Sequence, residues 1–162
     1  MATPTAIKKI VVGLDGSPQS QAALEWAVEM AQGMHAHVTA VYAIDLPPPF
    51  YPESYVMTQQ FDDEWRKTMR AEVENTWCKA LRDAGVEYRA VMEDGRAASV
   101  ISRVAEAEGA DVIVVGRRGR GGIAEFLLGS TTHELVLRSK VPVLVVEPAT
   151  SIRKPRNARH AA

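Results

Sequence analysis

The chain has 162 residues, 46% of them hydrophobic and 24% charged, which suits one globular domain with a sizeable core and leaves two cramped. Its 19 Lys and Arg against 20 Asp and Glu give a formal charge of −1, which excludes a polycation built for nucleic acid or for an anionic membrane surface. The single cysteine, Cys78, excludes an intramolecular disulfide framework and a multi-cysteine metal site.

A reducing, cytoplasmic setting is the expectation, with no membrane partner. The first residues lack an apolar core of signal-peptide length, and no window approaches the roughly 20 apolar residues of a membrane helix.

Ile7 to Leu14 is rich in Ile and Val, as a parallel strand buried on both faces should be. It ends at Gly13-Leu-Asp15-Gly16-Ser17-Pro18, where Ser17 is placed to cap a helix and Pro18 suits its first turn. That helix is expected to run to about Gly33, with Ala23, Trp26, Ala27, Met30 and Ala31 as its apolar stripe. His37 to Ile44 reads as a second strand, and the prolines between Asp45 and Pro52 oppose regular structure. From Phe61 a helical pattern repeats at four-residue steps through Trp65, Met69, Val73, Trp77 and Leu81, and Gly85 stops it.

Val86 to Met92 is the third expected strand, Asp94-Gly95 a turn, and Ala97 to Ala107 a helix closed by Gly109. Asp111 to Val115 gives a fourth strand, a glycine loop follows, and another helix spans about Ser130 to Arg138. Val141 to Val146 is the fifth strand. Alternating strands and helices imply an α/β fold: a single-domain, open, parallel five-stranded sheet with right-handed crossovers and helices on both faces. With strand order 3-2-1-4-5, the order reverses between the first and fourth strands, where such sheets bind ligands beyond their carboxyl ends. The loops there are Gly13 to Ser17 and Gly116 to Thr131. The expected domain is residues 1–148, followed by a basic, disordered tail at 149–162. The tail carries Arg153, Lys154, Arg156 and Arg159 and no acid, which leaves the preceding chain at a formal −5.

The glycine loop holds the candidate chemistry. Gly116, Gly119, Gly129 and the intervening Gly121 and Gly122 let backbone approach a ligand, the helix start adds partial positive charge, and Arg117, Arg118 and Arg120 add full charges. A phosphate is the natural ligand of such a place. From Gly116 the spacing is Gly, two residues, Gly, nine residues, Gly, Ser. This resembles the nucleotide-binding signature of the universal stress protein family. The resemblance extends to Ile10-Val-Val-Gly13-Leu-Asp15-Gly-Ser17, to Val41-Tyr-Ala-Ile, to the Val-Ile-Val-Val approach into Gly116, and to Val141-Pro-Val-Leu-Val-Val146.

The resemblance implies that Gly116, Gly119, Gly129 and Ser130 line ribose and phosphates, with Thr131 contributing. It also implies that Gly13 and Asp15 approach the nucleoside and that Ala43 lies against adenine. The implied ligand is ATP or another adenine nucleotide, cyclic AMP included, with Mg2+ as the ion that would accompany ATP. The implied role is a stress-response regulator with an unidentified protein partner, and a homodimer through the apolar Val141–Val146 edge strand.

Several residues stay open to a second reading. The arginines suit phosphate oxygens or a solvated surface. Asp15 suits a backbone-satisfying turn, or ribose or a divalent ion. Ser130 suits a helix cap as well as a phosphate. Gly119-Arg-Gly-Gly-Ile-Ala124 with Glu147 also fits a dinucleotide fingerprint, but only a tail remains after Glu147 to carry the rest of a dehydrogenase. No Gly-Lys-Ser or Gly-Lys-Thr occurs, so no P-loop lysine favours rapid phosphoryl transfer. A slow ATPase, or self-phosphorylation on Ser130, Thr131 or Thr132, is the alternative to a purely binding protein. His35 and His37 lack further metal-ligating partners, His133 reads as exposed, and Cys78 reads as packing.

Overall fold

The computed structural model describes residues 6–45, 55–119 and 128–148, with the side chains of 55–61 left aside. The expectations for 46–54, for Arg120, Gly121 and Gly122, and for the tail from 149 lie outside the described residues. Five strands form one parallel sheet: β1 (Lys9–Leu14), β2 (His37–Ile44), β3 (Tyr88–Asp94), β4 (Val112–Gly116) and β5 (Val143–Val146), in the order β3-β2-β1-β4-β5. The helices are α1 (Pro18–Met34), α2 (Tyr55–Glu72), α3 (Lys79–Asp83), α4 (Ala97–Glu108) and α5 (Ser130–Arg138). Among the described residues, no helix is long and apolar enough to cross a membrane.

β1 is the central strand, with Val12 opposite Ala40 on one side and Val114 on the other. Because side chains alternate along a strand, Ile10, Val12 and Leu14 face one layer and Val11 the other. The first layer is packed by Ala23, Leu24, Ala27 and Ala31 of α1 and by Val73, Trp77 and Leu81. The second is packed by Val100, Ile101, Val104 and Ala105 of α4 and Leu135 of α5. Helices thus cover both faces.

Local chemistry sets the helix ends. Ser17 caps α1, its hydroxyl accepting the Ser20 N–H, and Pro18 occupies the first turn. α4 ends on Gly109, which is left-handed at φ 61°.

Five expectations need correction. Trp26 is 42% exposed; the buried face of α1 is Ser20, Ala23, Leu24, Ala27 and Ala31, small residues that bring the helix close to the sheet and leave an indole on the shoulder. β3 starts at Tyr88 rather than Val86, because the Val86 N–H is donated to the Leu81 carbonyl in the turn that closes α3. β5 starts at Val143 rather than Val141: Ser139 Oγ turns back on both the N–H and the carbonyl of Val141, and Pro142 has no N–H to give a ladder. Ser130 is the first residue of α5, and Gly129 takes the cap position.

The long helix after the prolines is the fifth. It begins at Tyr55, before Phe61, and it is interrupted by a π-helical turn at Val73–Trp77, where the Cys78 N–H reaches back five residues to the Val73 carbonyl at 2.9 Å. The four-residue repeat explains the interruption. At 3.6 residues per turn each four-residue step drifts by about 40°, so the stripe from Trp65 to Leu81 would wander by about 160° around a straight helix. One extra residue takes back about 100°. Val73, Trp77, Cys78 and Leu81 all end up buried on the sheet side.

Candidate functional site

The two loops that follow β1 and β4 meet. In the first, Asp15 Oδ1 accepts the Ser17 N–H at 2.9 Å, which is the turn role read for it in the sequence. Ser20 Oγ donates to the Ser17 carbonyl at 3.0 Å and accepts the Asp15 N–H at 3.3 Å. These bonds bind the loop to the first turn of α1. Gly16 supplies the left-handed residue, at φ 75°, that the turn requires.

In the second loop, the Arg117 N–H donates to the Val146 carbonyl at 2.8 Å, and the Arg117 carbonyl accepts the Gly129 N–H at 2.9 Å. Thr132, 3% exposed, donates its hydroxyl to the Gly116 carbonyl at 2.8 Å. The start of the loop and the start of α5 are therefore joined by two hydrogen bonds.

The glycines here serve space. A Cβ on Gly116 would lie 2.7 Å from the backbone of Gln19 in α1, and one on Gly119 would lie 2.5 Å from Asp15 Oδ2. A Cβ on Gly129 would come within 3.2 Å of the Arg118 Cα. Asp15 and Gly119, 104 positions apart in sequence, and Gln19 and Gly116, 97 apart, are thereby held in contact.

Between the loops lies a cleft of about 490 Å³, counting the part open to solvent. Of the residues expected in a site, Gly13, Asp15, Ala43, Gly116, Arg118, Gly119 and Thr131 line it. Gly129 stacks over Arg118, while Ser130 is exposed on the first turn of α5. The Arg117 guanidinium is turned to Glu147, donating from Nη2 to Oε1 at 3.1 Å with a second contact through Nε, and is not part of the cleft wall. That pair also occupies the carboxylate that a dinucleotide fingerprint would assign to ribose.

Leu14, Ser20, Ala97, Ile101 and Val115 line the cleft as well and carried no assignment from sequence, and Thr132, read there only as a candidate for self-phosphorylation, joins them. Ile101 had a signal, since it sits on the apolar stripe of α4 and its Cδ1 comes within 2.8 Å of the place a Gly13 Cβ would take. Ser20 had a weaker one, as a small polar residue one turn after a cap.

The arrangement separates two kinds of wall. Ala43, Ala97, Ile101 and Val115 offer apolar surface on the strands and α4. Arg118, Gly119 and Thr131 offer a basic residue, exposed backbone and the first turn of a nine-residue helix. An aromatic base suits the first and an anion the second.

Cys78 is fully buried in the same core cluster as Trp77. Burial pushes its thiol up to about 11, with nearby Arg82 opposing, which makes it a packing group and a poor nucleophile.

The model of the universal stress protein family matches residues 6–147. The universal stress protein YxiE of Bacillus subtilis is 33% identical over 146 residues, covering 85% of this chain and 97% of that protein. The structure of the universal stress protein UspA from Lactobacillus plantarum superposes with a TM-score of 0.73 at 25% identity, over 88% of this chain and 99% of that one. A universal stress protein crystallised in complex with cAMP superposes with a TM-score of 0.61 at 25% identity, over 90% of this chain and all (100%) of that one.

Proposed function

We propose, from the premise that this chain belongs to the universal stress protein family, that it binds an adenine nucleotide, ATP foremost, in the cleft between the β1 and β4 loops. The observation that carries this reading is the convergence of an apolar wall with an anion-suited wall, held together by the Asp15–Gly119 and Gly116–Gln19 contacts. Adenine lies against Ala43, and the phosphates lie at Arg118, Gly119 and the start of α5. The cAMP complex of a structural relative supports an adenine ligand with at least one phosphate.

Asp15 keeps one carboxylate oxygen on the Ser17 N–H and turns the other toward Gly119. A carboxylate beside phosphates suits ribose hydroxyls or Mg2+, which is commonly held by one or two carboxylates together with phosphate oxygens. When bound, the ion would neutralise part of the phosphate charge there.

The protein acts as a regulator. Nucleotide binding favours one arrangement of the loop and of the surface presented to a protein partner. A second reading, slow ATP hydrolysis or self-phosphorylation, gains little from Thr132, whose buried hydroxyl is committed to the Gly116 carbonyl. Homodimerisation through β5 belongs to the proposal: β5 is a sheet edge, and Val136 and Leu137 of α5 are exposed at 50% and 68%.

The test is to denature freshly purified protein, identify released nucleotide by mass spectrometry, and titrate stripped protein with ATP, cAMP and NAD. Saturable ATP binding lost in Gly119→Trp supports the reading. Released NAD, or the absence of binding to any adenine nucleotide, overturns it. Phosphate release abolished by Gly116→Ala would assign an enzyme, and light scattering that shows only monomer at micromolar concentration would remove the dimer.

A further inference from the structure

We infer that Trp77, outside the cleft, is the positioning residue of the nucleotide loop: the π-turn aims the benzo edge of its indole at Gly16 and so holds Asp15 and the Ser17 turn in place. This rests on the nucleotide reading for its meaning, though the contact itself does not.

The geometry is specific. A Cβ on Gly16 would lie 2.5 Å from Trp77 Cζ2, 3.0 Å from Cε2 and 3.1 Å from Cη2. The six-membered ring is therefore pressed on the loop backbone where no side chain fits. The ring is itself fixed from the side by Tyr42 on β2, edge-on with centroids 5.2 Å apart and planes at 82°. Below it, Val73, Cys78 and Leu81 are buried.

The π-turn supplies the aim. Without its extra residue, Trp77 would be rotated about 100° from its present direction relative to α2, away from the loop. Gly16 is the residue between Asp15, which lines the cleft, and Ser17, whose N–H is held by the Asp15 carboxylate and whose hydroxyl caps α1. A left-handed residue at φ 75° is a place where a loop can flip, and the indole edge closes the space into which it would flip. Removing that edge should free the Asp15 carboxylate from its orientation while every residue that lines the cleft keeps its identity.

The test uses the full chain. Trp77→Phe keeps an aromatic ring beside Tyr42 and removes the benzo edge, and Trp77→Leu, which lacks the same edge, takes its place should the first not fold. ATP affinity is measured by calorimetry, backbone amide exchange at Ser17 and at Val12 by NMR, and stability by thermal unfolding. The expected result is about tenfold weaker ATP binding and about tenfold faster exchange at Ser17, with Val12 exchange unchanged. A general loss of structure would instead speed both amides together. Gly16→Ala should weaken ATP binding in the parent protein, and by several-fold less in the Trp77→Phe background, where its Cβ has room.

Exchange at Ser17 that stays at the parent rate, or Gly16 and Trp77 effects that simply multiply, overturns the inference. If the parent protein binds no ATP, the nucleotide reading is what fails, and exchange at Ser17 still decides whether Trp77 positions the loop.

Discussion

Gly116→Ala places a methyl group 2.7 Å from the carbonyl carbon and oxygen of Gln19 and 2.8 Å from its Cβ. Ordinary contact begins at 3.4 Å, so either the end of β4 or the first turn of α1 must retreat by about 0.7 Å. The obstacle is backbone, and no rotamer change relieves it. The α1 turn is also tied by the Ser17, Ser20 and Asp15 hydrogen bonds, which resist the movement. Overpacking of this kind costs about 1–3 kcal/mol. In a domain of this size each kcal/mol lowers the melting temperature by roughly 2–4 °C, so calorimetry should record a fall of about 2–12 °C. ATP affinity should drop as well, because the displaced parts are the two sides of the cleft. Gly109→Ala is the control: at φ 61° with nothing within 4 Å, its added methyl costs about 1–2 kcal/mol through backbone conformation alone and leaves ATP affinity unchanged. Gly116→Ala protein that melts with the parent and binds ATP equally would refute the close-contact argument.

Thr132→Val removes the donor to the buried Gly116 carbonyl and should cost about 1–3 kcal/mol in urea unfolding, whereas Thr132→Ser keeps the bond and should stay close to the parent. Arg118→Ala should weaken ATP binding about tenfold, the scale of a lost charge-assisted hydrogen bond, while Arg117→Ala, whose guanidinium faces Glu147, should change it less than threefold; calorimetric titration separates them. Cys78 titrates near 11 in the fold and near 8.5 in an unfolded chain. The folded state thus holds the proton more tightly, so its contribution to stability is whole below about pH 8.5 and lost as pH rises through 11. The alkaline decline in stability should be shallower in Cys78→Ala, as urea unfolding at pH 8 and pH 10 would show. Asp94→Asn breaks an exposed pair with Arg66 and should cost less than about 1 kcal/mol, an effect that 1 M salt should erase in thermal unfolding.

Much of the fold is legible in the residues, for reasons that differ along the chain. Ser17-Pro18 and Gly109 mark helix ends through local chemistry, and strand order follows from alternation of strands and helices under a fixed handedness. The Gly116–Ser130 spacing marks the second loop because its glycines answer to backbone crowding, which sequence records faithfully. What sequence does not carry is direction. Arg117 and Arg118 are adjacent and chemically identical, yet Glu147, 30 residues away, draws one toward itself while the other lines the cleft. Trp26 fits an apolar stripe by spacing alone, and only the width of the α1–sheet gap excludes it. The π-turn was half visible: an unbroken four-residue repeat cannot keep one face of an α-helix, but the repeat does not say where the extra residue enters.

The central position of β1 has a consequence for how the molecule comes into being. Val12 has Ala40 for one neighbour and Val114 for the other, so β1 waits on a partner 102 residues downstream. At about 5–20 residues per second, that partner follows some 5–20 s later on the ribosome. Until then one edge of β1 stands open, and the loop carrying Asp15 has no opposite wall. A growing or truncated chain can therefore hold a partly formed sheet but not the whole cleft, whose lining is complete only once Thr132 has been made.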